Sequence, residues 1–481
     1  MTDFSLSGLM SVVNLAYFFA AAMFMFGLKA MSSPVRARRG IVWAGIGMLL
    51  ATLVTFIHPA VDRNYFLIII SLLVGGSLSY LYATRVEIRD MPQMIALYNA
   101  MGGGAAACIA AVELTKPELH GNLLQALAVI GGLLGSVAFT GSLLAYWKLK
   151  GTVTKVPQFS NLQVINLGII LIALMLALLL SFSNGAHPLL LLVYFILALI
   201  SGVLITLPVG SSDMPVIISL FNAMAGMAVG FEGFALENPA MMVAGVVVGA
   251  SGWMLTRLMA KAMNRPVANI LFSDTAFFKQ LETGSPPVDQ TVAPKSVWDQ
   301  DSEEALSIDA HDAAADLAYA ERVVIVPGYG MALSHAQQKL WEFTEVLEKR
   351  GVKVSFAIHP VAGRMPGHMN VLLAEAGVPY EKIVDIDDIN AEFSSVDVVL
   401  VVGANDITNP AARDDTESSI YGMPILDVDK ANHVIVIKRG QGKGFSGIEN
   451  SMFLGSNTRL LYGDAARMVQ TLISEVREIG N

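Results

Sequence analysis

Cysteine is almost missing from this chain: its 481 residues hold a single one, Cys108. One thiol cannot build a disulfide framework or a Cys-based metal site, so a stapled secreted module and a zinc ribbon are both excluded. Charge is nearly as scarce in the first 265 residues, which carry 14 basic and 9 acidic side chains; the remaining 216 carry 17 and 31. A net charge of +5 therefore precedes one of −14. The front reads as membrane, the back as soluble, acidic and globular. No basic stripe suited to nucleic acid is present. Histidine is absent from every long apolar run, which excludes a membrane reductase with paired axial haem ligands. Neither a Thr-Val-Gly-Tyr-Gly filter nor a charged substrate site within a span occurs. This weakens the competing reading, a channel or transporter regulated by a cytoplasmic nucleotide-binding domain.

What is abundant is long apolar sequence. Crossing the hydrocarbon core takes about 20 mostly apolar residues, and nine runs qualify: 8–28, 41–57, 65–82, 91–112, 123–146, 162–181, 188–207, 214–234 and 239–263. The second is the shortest. No basic segment or small-residue cleavage site precedes the first, which reads as a retained span rather than a signal peptide. Alternate loops carry Lys29, Arg36, Arg38 and Arg39, then Arg85 and Arg89, then Lys148, Lys150 and Lys155, and the exit from the last span adds Arg257, Lys261 and Arg265. Only Arg63 and Lys116 lie on the other side. Positive charge marks the cytoplasmic face, so the N-terminus is expected outside and the acidic C-terminal domain in the cytoplasm. An odd number of spans is what that orientation needs.

A repeat occurs at an offset of 123 residues. Asp90-Met91-Pro92 and Asp213-Met214-Pro215 each open a span, and Asp90–Ala105 matches Asp213–Ala228 at 10 of 16 positions. Asn99 is matched with Asn222, and Gly103 with Gly226. Two readings stay open: paired helices flanking a central path, or small residues that let helices pack closely. The matched amides favour the first, because a buried amide needs a partner or water.

Residues 266–320 change character, with Pro286-Pro287 and many acids, and read as a linker containing a short helix near 303–320. From 321 to 481 the pattern is that of a soluble domain. Strand-like runs lie at 323–326, 352–358, 396–402 and 434–437. Helical stretches lie between the first glycine turn and Arg350, at 368–376 and at 463–477. Strands alternating with helices imply a doubly wound parallel α/β sheet of Rossmann type. Gly328-x-Gly330 follows the first strand and opens a helix, where free N–H groups would meet a phosphate. Leu333 stands where a third glycine would be, so the motif alone fits either a dinucleotide or simple packing. The second strand ends in His359-Pro360 and lacks the acid that would hold an NAD ribose, which is compatible with NADP. Lys438-Arg439 would supply charge for its extra phosphate, or would be a solvated pair, ahead of the flexible glycines Gly440, Gly442, Gly444 and Gly447.

Five segments carry a resemblance to a known family: Val-Pro-Gly-Tyr-Gly-Met-Ala (326–332), His-Pro-Val-Ala-Gly-Arg-Met-Pro-Gly-His (359–368), Gly-Ala-Asn-Asp (403–406), Lys-Arg (438–439) and Gly-Asp-Ala (463–465). Over essentially its whole length the chain resembles the β subunit of proton-translocating transhydrogenases. The resemblance implies that NADP(H) is surrounded by Gly328, Tyr329 and Gly330; by Val361, Ala362, Gly363, Arg364, Met365 and Pro366; and by Gly403, Ala404, Asn405, Asp406 and Ile407. It adds Gly422 and Met423, then Lys438, Arg439, Gly440, Gln441, Gly442, Lys443, Gly444 and Phe445, then Asp464 and Ala465. Lys438 and Arg439 would grip the 2′-phosphate under a glycine-rich lid. Phe445 stands where the family commonly has Tyr, a departure that puts a hydroxyl contact from the lid in question. An α subunit would hold NAD(H) and add membrane helices, the complex would be a dimer in a bacterial inner membrane, and hydride would pass directly between nicotinamides.

Direct hydride transfer asks for positioning rather than a nucleophile or metal. His311, His335, His359, His368 and His433 accordingly read as surface or packing residues, and Asp406 is the exception placed near the reaction. For the proton, some family members have a membrane His where this chain has Tyr98. His58, His120 and His187 fall in outside-facing loops, and no acid lies near a span centre. Tyrosine is a poor proton carrier near neutral pH, and an amide orients water but does not usefully accept a proton. The expectation is therefore a wetted path beside Asn222, its titratable relay supplied by a partner's membrane helix.

Overall fold

A computed structural model describes residues 2–31, 34–59, 61, 63–87, 90–116, 122–153, 162–182, 188–210, 213–263, 266–272, 307–360, 362–363, 367–418, 420–440, 444 and 446–479. The chain forms two compact units, an apolar helical one and an α/β one.

Among the described residues nine helices are long and apolar enough to cross a membrane. They are α1 (Thr2–Met31), α2 (Pro34–Thr55), α3 (Tyr65–Ala83), α4 (Met91–Thr115), α5 (Asn122–Leu149), α6 (Leu162–Phe182), α7 (Pro188–Thr206), α8 (Met214–Ala235) and α9 (Pro239–Ala262). Each matches one expected run. The second is longer than its apolar stretch suggested, because Arg36, Arg38 and Arg39 lie in the first turns of α2 rather than in a loop. Lys148 likewise belongs to the last turn of α5. Its Nζ donates to the carbonyls of Thr206 (3.1 Å), Leu207 (2.5 Å) and Val209 (2.9 Å), which caps the C-terminus of α7.

Helix α5 is the axis of this unit, packing against α4, α6, α7 and α8. Its small residues allow that. A Cβ on Gly135 would lie 2.8 Å from the backbone of Gly103 and Ala107 on α4, and one on Gly141 would lie 2.4 Å from the ring of Phe221 on α8. Helix α3 is the opposite case, with no buried residue among its nineteen. Tyr98 of α4 reaches it, donating its hydroxyl to the Ser79 carbonyl at 2.9 Å.

The second unit is a six-stranded, wholly parallel sheet in the order β3-β2-β1-β4-β5-β6. The strands are β1 (Arg322–Pro327), β2 (Lys353–Ile358), β3 (Ile383–Asp385), β4 (Val398–Val402), β5 (His433–Lys438) and β6 (Thr458–Tyr462). β1, β4 and β5 are nearly continuous apolar runs because helices cover both faces. β3, with three residues, and β6, with Arg459 inside it, lack that signature and escape the sequence reading. Beyond Ser307, which bridges to Leu460 at the β6 edge, a helix over Ala310–Tyr319 packs on the last helix, Ala465–Glu478. Order 3-2-1-4-5-6 reverses direction between β1 and β4, and the crevice beyond their C-terminal ends is where such sheets bind ligands.

Candidate nucleotide site and membrane amides

The crevice is built from backbone. After β1 the chain turns at Gly328 into one helical turn, Tyr329–Leu333. The longer helix begins only at Gln337, so the single helix expected to reach Arg350 is broken. The break sits at His335, whose φ is 54°, with Ser334 Oγ bonding back to the carbonyls of Gly330 and Met331. Across the crevice, Gly330 N donates to Gly403 O at 2.9 Å, and Gly328 N donates to Val402 O at 2.9 Å. A Cβ on Gly328 would meet Gly403 O at 2.3 Å, and one on Gly403, whose φ is +67°, would meet Gly330 Cα at 2.4 Å. The close approach that a third glycine of the turn would provide comes from the neighbouring strand end instead. Leu333, in the third-glycine position, points partly to solvent.

Asp406 opens a short helical turn beyond Gly403, Ala404 and Asn405. Its carboxylate accepts from Ser446 Oγ at 2.6 Å and Ser446 N at 3.1 Å, and it lies so close to Gly444 that a Cβ there would be 2.2 Å away. The glycine loop after β5 is thus held down on Asp406. Below it, Asn450 Nδ2 donates to Asn405 O (3.0 Å) and Thr408 Oγ1 (3.3 Å). Asn405 Oδ1 is shielded from solvent with no hydrogen-bond partner among the described residues. A buried acceptor left open beside the strand end fits a polar ligand seated in the crevice. Ser446, Asn450 and Thr408 were missed from sequence; only the Ser after the glycine run hinted at them.

The remaining candidates divide. Lys438 ends β5 with Nζ 4.1 Å from the centroid of the buried Phe453 ring, a cation–π contact that props the amine up. Arg439 is exposed and Gly440 half-buried beside it. Ile407 packs on the sheet core. Met423 is buried among Ala412, Ile420 and Ile425 with Ile448 against it, beside Gly422 at φ +78°. Asp464 accepts from the amides of Ala466 and Arg467 as the N-cap of the last helix, in which Ala465 is buried. Ala362 is buried, Gly363 sits at φ +105° against His368, and the ring of Tyr329 is 6.4 Å from that of His368. Val361, Arg364, Met365, Pro366, Gln441, Gly442, Lys443 and Phe445 lie outside the described residues.

Of the five histidines in this unit, His311, His335 and His433 are exposed, while His359 and His368 are buried. His359 pairs with Pro424 O at 2.7 Å through Nε2, and burial pushes its ring down to about 4, so it stays neutral and donates. No group of His, Cys, Asp or Glu able to hold a metal occurs among the described residues.

In the membrane unit the two copies of the repeat part company. Asn99 Nδ2 donates to Ser142 Oγ of α5 at 2.8 Å, whereas Asn222 is exposed on α8. The paired glycines both serve packing: Gly103 lies against α5, and a Cβ on Gly226 would be 2.6 Å from Gly249 N of α9. His120 and His187 lie outside the described residues, and His58 follows the end of α2.

Among the described residues, nine apolar helices in one unit and a doubly wound sheet with a glycine-lined crevice in the other define a membrane protein with a Rossmann-like domain. The family model described as NAD(P) transhydrogenase beta subunit matches residues 13–475. Two curated relatives, both NAD(P) transhydrogenase subunit beta of Rhodospirillum rubrum, are each 39% identical over 474 residues, covering 96% of this chain and 98% of their own. The chain belongs to the NAD(P) transhydrogenase beta subunit family.

Proposed function

We propose that this chain binds NADP(H) in the crevice between β1 and β4, and that NAD(H) is held by an α partner docked over it. Hydride then passes directly between the two nicotinamides, coupled to proton movement through the helical unit. The observation that carries the NADP(H) assignment is the charge pattern at the strand ends. β2 ends in neutral, buried His359, with no acid to hold a ribose 2′-hydroxyl, while β5 ends in Lys438 followed by Arg439. Two cations near a 2′-phosphate favour NADP over NAD; a carboxylate would do the reverse.

The chain's own residues have limited work to do. Gly328, Gly330 and Gly403 let backbone approach the ligand closely. Asn405 Oδ1 offers an open acceptor, and Asp406 holds the loop through Ser446, excluding water. The hydride chemistry belongs to the nicotinamide when it is bound. Among the described residues there is one dinucleotide-type crevice, which suits a second nucleotide held by a second subunit. The family name itself speaks of a beta subunit. Asn222, outward-facing on α8, is the residue we assign to the proton path, beside a partner helix that supplies the titratable relay. An amide facing hydrocarbon is costly, so a covering partner suits it.

Calorimetry on the full chain in detergent is the test. Lys438→Ala with Arg439→Ala should erase most of the preference for NADP over NAD, on the order of 3 kcal/mol for two charge-assisted contacts. Equal affinity for NAD and NADP in the unsubstituted chain would sink the assignment.

A further inference from the structure

Besides Asn222, helix α8 carries an acid. Glu232, one turn from the end of α8, is 0% exposed, and neither of its carboxyl oxygens has a hydrogen-bond partner among the described residues. Its place is made by a glycine. The carboxyl lies flat on Gly131 of α5, where a Cβ would be 2.3 Å from Oε1 and 3.2 Å from the carboxyl carbon. A side chain at 131 would push the carboxyl aside.

The groups facing Glu232 are few. Tyr194 of α7 is close enough to feel it, but the Tyr194 hydroxyl is committed to Val129 O at 2.5 Å. Glu113, near the end of α4, which packs on α8, is paired with Lys116 at 2.6 Å. The side chains of Glu113 and Lys116 are 14% and 53% exposed. Helix α9, packed on the far face of α8, has no ionisable residue before Arg257, and α6 has none. Tyr17 of α1 sits against Ala240 of α9 and hydrogen-bonds Thr55 at 2.9 Å. Among the described residues no ion pair to Glu232 occurs, and an isolated buried carboxylate is costly. Burial without a donor is tolerable for the acid form, which carries its proton.

We propose that Glu232 is a proton-binding residue of the membrane unit, loaded and emptied past the partly exposed Glu113–Lys116 pair. The inference rests on the reading of this subunit as proton-translocating. Ten residues separate Glu232 from Asn222, about 15 Å along one helix at 1.5 Å per residue. The two would be successive stations on α8: a titratable group at one end and an amide that orients water further along. Binding is simple protonation of a carboxylate oxygen, and release returns the same proton to water reached past Glu113.

The experiment uses the complex with its α partner in liposomes. Glu232→Gln keeps shape and hydrogen-bonding reach but not the proton. Proton pumping read by an internal pH probe should fall at least tenfold, with NADP(H) binding unchanged. Glu232→Asp should restore pumping with a displaced pH profile. Infrared difference spectra on titration should contain a protonated-carboxyl stretch that follows bulk pH and is missing from the Gln variant. Wild-type pumping and an unchanged pH profile in Glu232→Gln would overturn the proposal, as would a Glu232 carboxyl band that ignores bulk pH. Should the Gln variant not assemble, titration of the wild-type and Asp bands decides alone. That band reports protonation even if the wild-type complex pumps nothing, so failure of this site and failure of the pumping reading are distinguishable.

Discussion

Around the sheet's crevice, with Asn405 Oδ1 the exception, the described polar groups largely close on one another. Asp406 holds Ser446, Asn450 holds Asn405 and Thr408, and Asp464 caps the helix it precedes. The helical unit behaves otherwise: Asn222 is exposed on α8, α3 buries nothing, and Glu232 has no donor among the described residues. A soluble domain must satisfy its polar groups itself or lose stability. A membrane subunit can leave them to a partner helix or to a transported ion. On the proposed function, the contrast separates a nucleotide crevice whose described polar groups are largely paired within this chain from a proton path that needs a partner.

The strongest way to break that contrast is to attack the completeness of the crevice. Gly403→Val adds side-chain atoms 2.4 Å from Gly330 Cα at a left-handed φ of +67°. Left-handed strain of about 1–2 kcal/mol and overpacking of about 1–3 kcal/mol together make a loss of about 4 kcal/mol the expected result. Thermal unfolding of the detergent-solubilised chain should show the soluble transition collapse while the helical unit persists. An unchanged transition would mean that the backbone contact is not required.

Acid sharpens the comparison next. His359 titrates at about 4 in the folded unit, against about 6.5 when unfolded. The unfolded state therefore takes up the proton first. Stability is intact above pH 6.5 and declines as pH falls toward 4, by on the order of 3 kcal/mol. The drop should appear in denaturant titrations between pH 7 and pH 4.5, and His359→Gln should flatten it. Identical pH slopes in both proteins would remove His359 as the cause.

The smallest stability effect separates the two repeat copies. Asn99→Leu breaks the bond to Ser142 and should cost about 1 kcal/mol, the usual scale for one interhelical hydrogen bond in a membrane. Asn222→Leu should leave the isolated chain's stability unchanged yet abolish pumping in the assembled complex. Full pumping with Asn222→Leu would take this residue off the path.

Much of this was legible in sequence, unevenly. Span length, basic loops and the strand–glycine–helix pattern depend on local composition, and all nine helices and four of six strands follow from them. β3 and β6 do not, since three residues or a strand containing Arg459 carry too little apolar signal. The third close approach in the crevice comes from Gly403, 70 residues beyond Leu333, and no local motif encodes a contact between strand ends. Most of the cofactor residues came from family resemblance rather than from chemistry visible in the chain. Glu232 escaped because an acid near a span end looks interfacial; only the glycine opposite, on another helix, buries it.

Hydride transfer from NADPH to an NAD analogue, measured in liposomes with an internal pH probe, tests the division of labour most directly. The chain alone should bind NADPH but neither reduce the analogue nor move protons, and adding the α partner should start both together. Robust turnover by the purified chain alone would contradict the account.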